Sequence, residues 1–149
     1  MSRTESTTAK RFAFTYPITV HLRDLDGLGH VNNAVYLTYL ETARNRWVFD
    51  LRGKTKVTDF DFILAHTSVD FRAAAELYDT VLVKLRPTRV GNSSWDLQYE
   101  CRDQATGRLL IEARSVQVMY NYATGRSAPV PEEFRRILEA EIGRCDGAG

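Results

Sequence analysis

Ala34-Val35-Tyr36-Leu37-Thr38-Tyr39-Leu40 opens the run on which the reading of this chain turns. Nearly every position in it is apolar, and Tyr36, Leu40, Ala43, Trp47 and Leu51 then recur at steps of three or four. That period is helical and predicts a helix from Ala34 to about Leu51. Asn32 or Asn33 supplies a short polar side chain that accepts from first-turn amides, and Gly53 suits the C-terminal cap. An ordinary surface helix keeps one apolar stripe and leaves the rest wet. Apolarity on several faces of the first half implies that something wraps around this helix.

The flanking sequence supplies strands for that wrapping. Before the helix, Phe12, Phe14, Tyr16, Ile18, Val20 and Leu22 alternate with Ala13, Thr15, Thr19, His21 and Arg23, the period-2 pattern of a half-buried strand. After it come candidate strands Phe60–Arg72, Thr80–Val90, Ser94–Arg102 and Leu109–Tyr120, with turn residues at Gly91-Asn92 and from Asp103 to Gly107. Pro129 and Pro131 precede a short amphipathic helix using Phe134, Ile137, Leu138 and Ile142, with Glu132 and Glu133 in its first turn. The order strand, long helix, four strands, short helix predicts an α+β fold in which one antiparallel sheet curls around the long helix. Such a sheet leaves an open edge, so pairing with a second copy is expected.

With 149 residues, one domain spanning 1–149 is expected, residues 1–10 being a flexible polar arm and 145–149 a flexible tail. Lys and Arg number 20 against 19 Asp and Glu, which gives no basic excess to suggest nucleic acid or an anionic membrane as partner. No apolar stretch approaches the roughly 20 residues of a membrane span, and the polar start lacks a secretory signal pattern, so a cytoplasmic location is expected. Cys101 and Cys145 are too few for a disulfide framework and lack metal-ligand spacing; they read as free thiols. The sequon Asn92-Ser93-Ser94 reads as accidental without export.

The chemically densest stretch is Arg23-Asp24-Leu25-Asp26-Gly27-Leu28-Gly29-His30-Val31-Asn32-Asn33, placed just before the helix. A carboxylate there can serve as nucleophile or as a base activating water. Amides of the first helical turn point outward along the axis and, with the dipole, can stabilise an oxyanion on an acyl carbonyl. Carboxylate plus helix-start amide suffices to hydrolyse an activated acyl group such as a thioester, whose good leaving group makes a serine triad or metal unnecessary. Asp24, Asp26, His30 and His21 are all ligand types, but their spacing matches no metal motif, and no metal site is expected.

Asp24-Leu25-Asp26, Gly29-His30-Val31-Asn32-Asn33, Tyr36, Tyr39, Glu41 and Ala43-Arg44 together resemble the hot-dog thioesterases of the 4-hydroxybenzoyl-CoA and acyl-CoA type. Weaker agreement comes from Ser68 to Phe71, Asp79-Thr80-Val81, Gly91-Asn92-Ser93-Ser94 and Tyr120 through Pro131, so the likeness covers about Thr15 to Leu138. The resemblance implies a hot-dog fold of five or six strands around one long helix, a homodimer or homotetramer, and hydrolysis of an acyl-CoA, or of an acyl group on acyl carrier protein, to free acid and thiol. No cofactor is implied beyond the coenzyme A of the substrate, whose pantetheine arm would lie in a channel at the subunit interface.

By position, Asp26 matches the catalytic carboxylate and the backbone N–H near Asn33 the donor to the thioester carbonyl. His30 is taken as an assisting catalytic group. Asn32, Tyr36, Arg89, Ser93 and Arg126 are taken as substrate-binding, the arginines facing coenzyme A phosphates. Asp24 is read as a turn brace, and Glu41 with Arg44 as an i,i+3 ion pair behind the site. Tyr78 stands where many relatives carry a small residue and is expected to narrow the acyl channel. The alternatives are a non-catalytic acyl-thioester-binding protein and a hot-dog hydratase or dehydratase, although the His-Phe-Pro type of motif of the latter is missing here.

Overall fold

A computed structural model describes residues 11–147. The flexible arm expected over residues 1–10 lies outside the described residues. Strand β1 (Phe14–Thr19) leads through a 3-10 turn (Leu22–Asp24) into helix α1 (Asn33–Arg52). A second 3-10 turn (Val57–Asp59) precedes β2 (Phe62–Phe71), β3 (Thr80–Val90), β4 (Ser94–Asp103), β5 (Leu109–Asn121), the short β6 (Arg126–Ser127) and helix α2 (Glu132–Asp146). All pairings are antiparallel, in the order β1-β3-β4-β5-β2, with β6 added beside β5. This is the hot-dog arrangement, a curled antiparallel sheet holding one long helix.

Alternation along the central strands builds the core. Val81, Val83 and Leu85 of β3 and Trp95, Leu97, Tyr99 and Cys101 of β4 are fully buried. They share one cluster with Tyr36, Tyr39, Leu40, Ala43, Trp47 and Val48 of α1. Each large apolar side chain so buried contributes about 1.5–3 kcal/mol, which holds the helix in the sheet despite its modest intrinsic amphipathicity. Helix α2 closes the far end, where Phe134 stacks edge-on to Trp95 at 5.2 Å and lies 4.3 Å beneath the Arg52 guanidinium.

Three expectations change. The first strand stops at Thr19 rather than running to Leu22, which is 73% exposed. The Asp24 carboxylate captures the His21 N–H at 2.9 Å and the Asp24 N–H bonds the His21 carbonyl at 2.9 Å, turning the chain out of the sheet. The terminal helix continues through Cys145 and Asp146 instead of fraying there. Cys145 is buried and Arg86 ties Asp146 at 3.0 Å, so the last turn is anchored to β3. Finally, within one chain the sheet covers a single stripe of α1, whereas Ala34, Leu37, Thr38 and Glu41 remain exposed.

Candidate active site

The segment between β1 and α1 is folded around two aspartates with separate tasks. Asp24 Oδ2 accepts from the His21 N–H and from the Tyr39 hydroxyl at 2.8 Å, pinning the turn to the helix. Burial and this contact push the Tyr39 phenol well above its ordinary range, so it stays a donor. Backbone bonds from Asn32 N–H to the Asp24 carbonyl (2.9 Å) and from Asp26 N–H to the His30 carbonyl (2.8 Å) close the loop. Gly29, at φ 82°, supplies the left-handed residue the loop needs.

Asp26 is held from the inside of that loop. Its Oδ1 accepts the Leu28 N–H at 2.8 Å and the His30 N–H at 3.2 Å. The Leu28 amide, then the His30 amide, hold its carboxyl below the usual carboxylate range, against a small opposing desolvation. The carboxylate is therefore ionised and oriented, with Oδ2 left free of protein donors among the described residues. The side chain is exposed in the single chain, at the mouth of a cleft of about 270 Å³ lined by His30, Asn33, Tyr36, Phe71 and Arg72.

Helix α1 starts in the same cleft. Asn32 is the N-cap, its side chain accepting the Ala34 N–H at 2.8 Å, which decides between the two asparagines. Asn33 is the first helical residue, and its N–H has no acceptor among the described residues, as expected for the orphan donors of a helix start. Asp26, with its ionised carboxylate, and Asn33, with its unsatisfied helix-start amide, thus line a common cleft, a pairing of groups able to serve acyl transfer. Below them Tyr36 is buried, its hydroxyl accepting the Ala75 N–H at 3.2 Å, and its ring lies 6.0 Å from that of Phe71.

The remaining expected site residues do not gather here. Asn32 is exposed and acts as a cap, and Asp24 lines a separate cleft of about 570 Å³ with His21, Arg23 and Tyr39. The Glu41–Arg44 ion pair does not form. Arg44 is buried and gives Nη1 to the Tyr99 hydroxyl at 3.0 Å, whereas Glu41 points outward on the exposed face. Their three-residue spacing straddles the boundary between the sheet-facing stripe and solvent.

Arg89, Ser93 and Arg126 lie at the opposite end of the sheet. The Met119 N–H bonds the Ser93 carbonyl and Arg126 pairs with Asn121, while Phe71, in the Asp26 cleft, pairs with Ile111. Eight residues of strand separate Ile111 from Met119, about 25 Å at the usual rise. Arg89 is moreover engaged by both oxygens of Asp96, at 2.9 and 3.2 Å, and by Ser94. Tyr78 does not narrow the Asp26 cleft; Ala73 and Ala74 line it instead, and Tyr78 is 71% exposed. Arg72, Ala73 and Ala74 line the cleft although the sequence gives them no site role, its only local mark there being the aromatic and basic end of the β2 pattern at Phe71-Arg72. Among the described residues no three His, Cys, Asp or Glu side chains converge to hold a metal ion.

Residues 20–138 match the model of the thioesterase-like superfamily, and the chain belongs to that family. It is a thioester hydrolase with the hot-dog fold. It is 30% identical over 129 residues to the 1,4-dihydroxy-2-naphthoyl-CoA hydrolase of Synechocystis sp., covering 84% of this chain and 94% of that one. Among solved structures it is similar to a thioesterase from Thermus thermophilus complexed with coenzyme A and zinc, at 34% identity and TM-score 0.79, covering 91% and 98% of the two chains. It is similar also to a 1,4-dihydroxy-2-naphthoyl-CoA thioesterase from Synechocystis, at 27% identity and TM-score 0.74, covering 91% and 98%.

Proposed function

We propose that this chain hydrolyses acyl-CoA thioesters, with Asp26 attacking the thioester carbonyl or activating the water that does. The observation that carries the reading is the shared cleft of an ionised, amide-held Asp26 and the unsatisfied Asn33 N–H. The carbonyl oxygen would meet that amide, which strengthens as negative charge develops in the tetrahedral intermediate. In the general-base route Asp26 takes a proton from water as its oxygen bonds the acyl carbon. In the nucleophilic route an acyl anhydride forms on Asp26 and water then cleaves it. In both, the C–S bond breaks with the electron pair leaving on sulfur, and a proton completes the free thiol. His30, beside Asp26 in the cleft, is proposed to position the carboxylate or to supply that proton. Tyr36 and Phe71 form the wall against which the acyl group lies.

The same reading includes a second copy paired along β2. Strand β2 offers ten residues of unpaired edge, with Leu64 and Phe71 exposed along it, whereas the other edge strand carries Pro17. Antiparallel pairing about the middle of β2 would bring the partner's far sheet end alongside Asp26. Ser93 and Arg126 are proposed to reach substrate only in that way; Arg89 has little left to offer. A cytoplasmic location stays an expectation; no helix of the described residues is long and apolar enough to cross a membrane.

The test is a panel of short, long and aromatic acyl-CoA thioesters with detection of released thiol, run beside the same acyl groups on acyl carrier protein. Thiol release from at least one acyl-CoA, lost in D26N, supports the reading. Coenzyme A binding with no release from any member would instead indicate a binding protein. Incorporation of oxygen-18 into the Asp26 carboxylate during a single turnover in labelled water distinguishes the nucleophilic from the general-base route.

A further inference from the structure

The loop after β2 lines the Asp26 cleft through Ala73 and Ala74 and then leaves it in a closed turn. The Asp79 N–H donates to the Glu76 carbonyl at 3.1 Å, and the Glu76 N–H to Asp79 Oδ2 at 2.9 Å. Tyr78 is the third residue of this turn and holds φ at 67°, the only positive value on a residue other than glycine among the described residues. Turns with positive φ at that position favour Gly or Asn, because a Cβ there crowds the backbone. The Tyr78 N–H, donated to the Val20 carbonyl at 3.0 Å, helps to fix the conformation.

Burial does not compensate the strain, since Tyr78 is 71% exposed. A left-handed backbone carrying a wet aromatic ring loses stability twice over and points to a role outside the fold. The same loop also holds a cation. Arg108, on the β4–β5 turn, gives Nη2 to the Ala74 carbonyl at 3.1 Å and has no acidic partner among the described residues. Four steps of chain lead from Ala74 to Tyr78, which limits their Cα separation to about 14 Å even if fully extended. Asp26 and Ala74 line one cleft, then, and the loop that continues from Ala74 holds a guanidinium with no acidic partner among the described residues and carries an exposed ring.

We propose that Tyr78 and Arg108 form the docking place for the nucleotide end of the substrate, adenine stacking on the Tyr78 ring and a phosphate meeting the Arg108 guanidinium. The proposal rests on the acyl-CoA reading above and adds to it a discriminator between substrates that carry a nucleotide and those that end at pantetheine. Stacking of a base on an aromatic side chain suits any purine, and a fixed guanidinium matches phosphate geometry.

The experiment compares wild type, Y78G, Y78F and R108Q on one acyl group presented as its coenzyme A thioester and as its pantetheine thioester. For Y78G the expected result is a KM for acyl-CoA raised about 5-fold or more with kcat unchanged, and no change on acyl-pantetheine. Its melting temperature should equal or exceed that of wild type, because glycine relieves the positive φ. Y78F should keep the wild-type KM, and R108Q should weaken acyl-CoA alone, with a loss that shrinks as salt is added. An unchanged acyl-CoA KM in Y78G, or an equal rise on both substrates, overturns the proposal. So does a change in assembly size in Y78G by sedimentation, which would make the ring an interface contact. Wild type that releases no thiol from any acyl-CoA overturns the reading beneath it, an outcome distinct from a missing Tyr78 effect.

Discussion

The Tyr39 hydroxyl donates to Asp24 Oδ2 at 2.8 Å, joining two residues fifteen apart in sequence and fixing the turn that carries Asp26 to the helix that carries Asn33. Asp24 and Asp26 are neighbours with different tasks: one holds the frame and the other faces the cleft. Tyr39→Phe removes the donor while keeping the ring in the core. The expected cost is about 1–2 kcal/mol in urea unfolding, together with a lower kcat, since the carboxylate and amide lose their common anchor. A kcat equal to wild type would show that the turn holds its geometry without this bond.

Asp26→Asn keeps the shape of the side chain and part of its hydrogen bonding while removing the charge. Turnover of an acyl-CoA substrate should fall about 100-fold or more. Stability should fall only slightly, because the amide Oδ1 can still accept from the Leu28 and His30 N–H groups although the charge that strengthens those bonds is gone. A variant that releases thiol at nearly the wild-type rate would assign the chemistry to another residue.

The amides of Leu28 and His30 lower the Asp26 pKa, so the sign of its pH effect follows directly. A carboxyl with a depressed folded-state pKa stays ionised through neutrality and loses its charge only as pH falls through that depressed value. Its contribution to stability runs in the same direction, present above the unfolded pKa and lost on acidification. The acid limb of kcat/KM that belongs to Asp26 should therefore lie below the ordinary aspartate value of about 3.9. A limb near neutrality that persists in His30→Gln would contradict this assignment.

Arg44 and Glu41 make a paired test of packing against surface charge. Arg44 begins a buried polar chain in which the Tyr99 hydroxyl lies 2.6 Å from Ser115 Oγ, Ser115 bonds Gln117, and Gln117 Nε2 donates to the Trp95 carbonyl at 2.9 Å. Arg44→Ala should cost about 3 kcal/mol by removing the donor and leaving a void, while Glu41→Ala should stay within about 0.5 kcal/mol. A double-mutant cycle between them should give a coupling near zero. Coupling above about 1 kcal/mol would restore the ion pair that their spacing suggests.

Where the pattern is dense the sequence is a good guide. The β3 strand matches its period-2 run from Thr80 to Val90, and the polar cluster before Asn32 forms the turn that holds Asp26. Apolar character alone misleads at Leu22, which continues the alternation on paper but sits in a solvent-facing 3-10 turn. Arg44 shows the limit of helical spacing, which names neighbours without saying which one faces the sheet. Arg89, Ser93 and Arg126 show a longer-range limit, because a linear motif does not tell which end of an antiparallel strand its residues occupy. Phe71 and Arg72 reach the site only because β2 is paired beside β5, a relationship set by topology and not by any local signal.

Pro17, lying within β1, has a consequence for how many molecules can join. Proline has no N–H to give, and in sheets it is accommodated on edge strands with its nitrogen turned to solvent. A newcomer strand arriving at that margin meets a missing donor, while the β2 margin offers an uninterrupted row except at the irregularity between Leu64 and His66. Among the described edge strands, β2 is thereby the one with an open row of donors for lateral growth of the sheet. In the proposed pair, two copies meeting at β2 would cover each other's open border, and elongation into a ribbon would terminate there.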